Sequence, residues 1–124
     1  MQRRDQHHLK KTTAREIKEI CQQIAREFHP ERIILFGSHA YGKPTWDSDV
    51  DLLVIMPFRG RHTRQAIKIR ERIDALVAID LLVRTPEDIS KRLEMEDFFL
   101  REIVERGKVM YEANHQGMDQ QSGR

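Results

Sequence analysis

Asp49 and Asp51 stand two residues apart in the run "DSDVDLLVI", Asp47 to Ile55, which otherwise has the apolar, β-branched character of a buried strand. Side chains alternate faces along a strand, so both carboxylates project to one side, with Cα atoms about 6.5 to 7 Å apart. Two carboxylates so placed can converge on a divalent cation. They also suit a pair of cations about 3.5 to 4 Å apart, which clamps the attacking and leaving oxygens of a phosphoryl displacement. Hard oxygen donors select Mg²⁺ or Mn²⁺ over zinc. A D-x-D pair also occurs in solvated turns at strand starts, with one acid capping and the others facing water. The spacing alone leaves both readings open.

Two further features bear on that choice. Gly37-Ser38 follows the apolar run Ile33 to Phe36, and Gly42 closes the turn. A glycine there lets a phosphate approach the backbone closely, and the serine hydroxyl and the amides of a following helix can donate to phosphate oxygens. An ordinary strand-to-helix turn carries the same residues. Asp80 sits in "LVAIDLLV", where every neighbour is apolar. A buried, unpaired carboxylate is costly, so this residue is expected to be paired with an arginine or lysine, neutralised by a raised pKa, or bound to a cation. If its strand lies beside that of Asp49 and Asp51, three acids repel one another at one place, and a cation relieves the repulsion.

The elements that must position these residues are legible from periodicity and punctuation. "TARE", Thr13 to Glu16, has the spacing of a capping box, and Ile17, Ile20, Cys21, Ile24 and Phe28 recur at helical intervals until His29-Pro30 ends the helix. Ile33 to Phe36 and Asp49 to Met56 are expected strands, and Pro57 and Gly60 break the chain. A helix is expected over Thr63 to Leu76, with Ala66, Ile69, Ile73 and Leu76 on one side, and a third strand over Val77 to Val83. Thr85-Pro86 starts another helix, Asp97 to Arg106 forms the next with Gly107 as its stop, and Lys108 to Tyr111 can add an edge strand. Phe98 and Phe99 are expected to pack the core. The fold class is therefore α/β, a sandwich with a small mixed β-sheet near Ile33, Asp51 and Asp80, flanked by helices. One domain is expected over 12–111, between a flexible tail at 1–11 and a disordered tail at 112–124.

Composition excludes several classes. With 39% hydrophobic and 34% charged residues, the chain has enough apolar surface to collapse and is not intrinsically disordered. No segment has the roughly 18 apolar residues of a membrane span, and the start lacks the apolar core of a signal peptide, so the expected location is cytoplasmic, without membrane attachment. A single cysteine, Cys21, excludes an internal disulfide framework and an all-cysteine zinc site, and it reads as a core thiol. His7-His8 lacks further ligands nearby and reads as solvated. A net charge of +2 gives no argument for direct nucleic-acid binding. In "FRGRHTRQAIKIR", Arg61, Arg64 and Lys68 share a helical face, either solvated or forming a positive surface near a triphosphate or an acidic partner. Trp46 can stack on a base or anchor the loop before the acids.

Taken together, F-G-S, the ten residues from His39 to Ser48, D-V-D and a later apolar strand carrying an acid resemble the nucleotidyltransferase superfamily that includes DNA polymerase β. More narrowly, the pattern resembles the stand-alone minimal nucleotidyltransferases found as antitoxins beside HEPN-type partners, and the similarity runs from near Thr12 to Tyr111. The resemblance implies a polymerase β palm-like fold. It implies that Asp49 and Asp51 ligate two Mg²⁺ ions (or Mn²⁺), that Asp80 completes the metal site and helps deprotonate the incoming hydroxyl, and that Gly37 and Ser38 hold the terminal phosphates of ATP or another nucleoside triphosphate. The implied reaction transfers a nucleoside monophosphate and releases pyrophosphate. A domain this short leaves the acceptor to be held from outside, and the implied acceptor is a HEPN-type toxin protein. Two alternatives stay open: a non-catalytic nucleotide-binding module that neutralises its partner by occlusion, and a small-molecule nucleotidyltransferase with a separate substrate-binding subunit. One departure stands out. Many relatives have arginine before the second loop glycine, where this chain has Tyr41; His39, Lys43 or an arginine of the next helix is available to compensate.

Overall fold

The computed structural model describes residues 12–74 and 77–113. Four strands form one mixed sheet in the order β3-β2-β1-β4: β1 is Arg32–Phe36, β2 Val50–Ile55, β3 Ile79–Arg84 and β4 Lys108–Glu112. β1 pairs antiparallel with both β2 and β4, whereas β2 and β3 are parallel. Parallel neighbours need a crossover, and the helix α3 (His62–Arg72) lies in it and packs on β3. The other helices are α1 (Ala14–Phe28), the single turn α2 (Ser38–Tyr41), α4 (Pro86–Glu94) and α5 (Phe98–Arg106). The expected mixed sheet with flanking helices is thus present, edge strand included.

Local chemistry sets the element ends. Thr13 Oγ1 accepts from the Glu16 amide at 3.1 Å and Glu16 Oε1 accepts from the Thr13 amide at 2.8 Å, closing the capping box of α1. His29 ends that helix in the left-handed region, with φ 50°. Thr85 and Asp97 cap α4 and α5 through the amides of Asp88 and Leu100. The helix expected to reach Leu76 stops at Arg72, where Gln23 of α1 caps it: its amide donates to the Arg72 carbonyl at 3.3 Å, and its oxygen accepts from the Asp74 amide at 3.1 Å. Leu76 itself, His7-His8 and the segments 1–11 and 114–124 lie outside the described residues.

The sheet is covered on both faces, which explains why its strands read as nearly continuous apolar runs. Ile33, Leu35, Leu52, Val54 and Val83 face α1 and α3, together with Ile17, Ile24 and Ile69. Ile34, Phe36, Leu53 and Ile55 face α4 and α5, against Ile89, Leu100 and Ile103. Cys21 is buried in the first layer, and burial pushes its thiol up to about 12, as an inert core residue requires. The period-two alternation of β2 puts Asp51 on the same face as Leu53 and Ile55, the α4–α5 side. Among the described residues no helix is long and apolar enough to cross a membrane.

Phe98 and Phe99 do not enter the core as expected. They are 72% and 57% exposed, because the turn of α5 that meets the sheet carries Leu100 and Ile103 instead. The same helix leaves Gly107 at a crowded crossing. A Cβ there would overlap the Ile103 carbonyl oxygen and Ile34 Cγ2 and lie 3.0 Å from the Leu35 carbonyl oxygen. Two of these are backbone atoms that cannot swing aside. Gly107→Ala is therefore expected to cost about 1–3 kcal/mol by overpacking, read as a lowered urea midpoint; an unchanged midpoint would show that the crossing relaxes freely.

Candidate active site

Strand register brings the acids together. Asp51 on β2 lies directly beside Asp80 on β3 in the parallel pairing and beside Phe36 on β1 in the antiparallel one. Asp49 lies two residues ahead of Asp51, just before β2 begins. Asp51 is half-buried and its carboxyl is raised above its ordinary range, first by burial, then by the charges of Asp80 and Asp49; His39 pulls the other way. All three carboxylates thus share one electrostatic neighbourhood.

The premise that Asp80 is buried is corrected. It is exposed, because β3 is an edge strand and the helices over the α4–α5 face leave its start uncovered. Exposed to water, it needs no salt bridge to be tolerated, and it has no ion-pair partner among the described residues. From the basic run, the Arg70 guanidinium donates at 2.6 Å to the carbonyl of Ile79, one residue before Asp80. The rest of that run lies elsewhere. Arg59 and Arg61 follow the end of β2 opposite to the one that carries Asp51, and Arg61, Arg64 and Lys68 are solvent-exposed.

Gly37 forms the floor of the site. Its φ of 77° with ψ of −157° belongs to a region essentially reserved for glycine, and a Cβ at this position would overlap Asp51 Oδ2. The carboxylate of Asp51 therefore lies against the glycine backbone, and Ser38 opens α2 immediately beyond it. His39 Nε2 lies 3.3 Å from the Ser48 carbonyl, tying α2 to the loop that delivers Asp49. That loop is braced from within: the Thr45 amide donates to Ser48 Oγ at 2.9 Å. Trp46, at the loop tip, is 53% exposed and is not a buried anchor.

Tyr41 takes the place of a loop arginine, yet a cation stands there. Arg106 of α5 holds its guanidinium over the Tyr41 ring, 4.6 Å from the centroid, and also pairs with Glu102 at 3.0 Å. His39, Lys43 and the next helix were the cations expected near this turn; Arg106 was not, because its approach to Tyr41 depends on how α5 crosses β1.

Among the described residues, no three His, Cys, Asp or Glu side chains already form a cage for one metal ion. Mg²⁺ is usually bound by one or two carboxylates together with substrate phosphates and water, so it does not require such a cage. The donor set fits such an ion: hard oxygens only, from acids whose mutual repulsion raises the proton affinity of Asp51.

The fold has solved counterparts. A presumed nucleotidyltransferase from Sulfolobus solfataricus is similar with a TM-score of 0.50 and 22% identity, over 62% of this chain and 70% of that one. A toxin–antitoxin structure with AMP-PNP is similar with a TM-score of 0.50 and 21% identity, over 80% of this chain and 76% of that one. A mutant of the toxin–antitoxin pair MntA-HpeT gives a TM-score of 0.48 at 18% identity, over 80% and 75%. No curated protein is similar enough to count as a match. The family model of the nucleotidyltransferase domain matches residues 14–110, a span that takes in the Gly37-Ser38 turn and all three acids, and the chain belongs to that family.

Proposed function

We propose that the protein transfers a nucleoside monophosphate, AMP from ATP in the first instance, to a hydroxyl group of a partner protein. The observation that carries the reading is the parallel register of Asp51 and Asp80 beside the glycine against which Asp51 rests. In this reading Asp49 and Asp51, with Asp80 completing the set, would hold Mg²⁺ or Mn²⁺, which supplies charge neutralisation at the attacking and leaving oxygens. The Gly37 backbone, on the side that Asp51 leaves free, and the Ser38 hydroxyl hold the terminal phosphates. The acceptor oxygen attacks the α-phosphorus, the bond from that phosphorus to the bridging oxygen of the β-phosphate breaks, and pyrophosphate leaves. Asp80 takes the proton of the attacking hydroxyl. Catalysis rests on positioning and on fixed charge.

The exposure of Asp80 on an edge strand supports an acceptor presented by another macromolecule, since the proton-accepting carboxylate is open to approach from outside. A HEPN-type toxin as the partner follows from the sequence resemblance, and the fold likeness to a toxin–antitoxin structure with AMP-PNP is in keeping with it. The test incubates the protein with α-labelled ATP, Mg²⁺ and the protein encoded beside it. Label is expected on the partner and is expected to vanish with EDTA. Absence of transfer from any nucleoside triphosphate would overturn the enzymatic reading.

A further inference from the structure

Phe99 is an exposed aromatic side chain that is nevertheless held in place. Burying a phenyl ring is worth about 1.5–3 kcal/mol, yet this one is 57% exposed. It is not loose. Its ring meets Phe36 edge-to-face, with centroids 5.9 Å apart and planes at 85°. Phe36 is the cross-strand neighbour of Asp51, and both occupy the sheet face that α5 covers. Directly opposed cross-strand side chains have Cβ atoms about 4.5–5.5 Å apart. The exposed ring therefore stands one side chain removed from the carboxylate at the centre of the site, on a helix that holds it in place.

From this placement we infer that Phe99 is the stacking platform for the nucleobase of the bound nucleotide. The inference rests on the nucleotidyl-transfer reading and deepens it by assigning the base subsite. A nucleotide with its α-phosphate at the acids extends a ribose and a planar base away from them, and the partly exposed ring beside Phe36 offers that base an apolar partner. Aromatic stacking accepts any base, because every base has a π face; selectivity among nucleotides then comes from polar contacts elsewhere. Trp46 is the rival platform, at 53% exposure in the loop three residues before Asp49. Phe99 is favoured because its helix and its contact with Phe36 fix the ring before the ligand arrives, so less ordering accompanies binding. Phe98, more exposed still, has no ring partner among the described residues and serves as a control.

Calorimetric titration of the full chain with a non-hydrolysable ATP analogue and, separately, with inorganic tripolyphosphate, both with Mg²⁺, tests the assignment. Phe99→Ala is expected to weaken the ATP analogue about tenfold or more and to leave tripolyphosphate unchanged. Phe99→Tyr, which keeps the ring, is expected to restore nucleotide affinity. Phe98→Ala and Trp46→Ala are expected to change neither. An equal loss for both ligands in Phe99→Ala, unaltered affinity for the ATP analogue, or a loss carried by Trp46→Ala would each overturn the assignment. If the unaltered protein binds neither ligand, the nucleotide reading itself fails, and the two failures are told apart.

Discussion

Asp51→Asn is expected to lower nucleotidyl transfer by at least about 10²- to 10³-fold while making the metal-free protein more stable at neutral pH. The two effects have one origin. Asp51 is half-buried against Gly37, with Asp80 and Asp49 close enough to repel its charge, and its carboxyl is raised from the ordinary 3.8. An acid whose pKa is higher folded than unfolded binds more protons in the native state between the two values. Stability therefore falls as pH rises from the unfolded value through the folded one, and the full penalty is present above that window. Asparagine has the same shape and no charge, so it lacks the penalty. A higher melting temperature than wild type is expected near pH 7 in EDTA, and the gain is expected to shrink as pH falls through the window. Mg²⁺ should raise the melting temperature of wild type more than that of the variant, because a cation relieves the repulsion that asparagine has already removed. Melting curves with and without Mg²⁺, paired with the label-transfer assay, check both halves. A variant that melts lower than wild type in EDTA, or keeps most of its activity, contradicts the account.

The parts legible in the sequence were those set by neighbours along the chain. The D-V-D alternation fixed the face that Asp51 shares with Leu53 and Ile55; Thr13-Glu16, Thr85-Pro86 and Gly107 marked helix ends that the structure keeps. What could not be read was set by the order of strands in space. The apolar neighbours of Asp80 implied burial, but β3 is an edge strand, and an edge residue can be surrounded by apolar sequence and still face water. Phe99 and Leu100 stand four and three residues before Ile103, with Arg101 and Glu102 between, so either can share its helical face and periodicity could not say which meets the sheet. Arg106 over Tyr41 is a contact between distant parts of the chain with no signature in either residue. The position of Arg59 and Arg61 at the far end from the acids followed only once the direction of β2 was known.

Gly37→Ala is expected to slow transfer sharply, to a rate still measurable, by displacing a carboxylate that the substitution does not touch chemically. Two costs separate cleanly. The backbone at φ 77° and ψ −157° disfavours any side chain by about 1–3 kcal/mol, which appears as a lowered melting temperature. The added Cβ also overlaps Asp51 Oδ2, the free end of a side chain that can rotate away. That second conflict adds little to the stability cost but moves the carboxylate off the position where it faces Asp80 and Asp49. If the glycine acts mainly through Asp51, Gly37→Ala and Asp51→Asn remove the same interaction, and the double variant should transfer label no more slowly than the slower single one. Its melting temperature should still show the backbone cost, since φ at position 37 does not depend on the charge at 51. Multiplicative loss of activity in the double variant would instead show that the phosphate contact proposed for Gly37 contributes independently of Asp51.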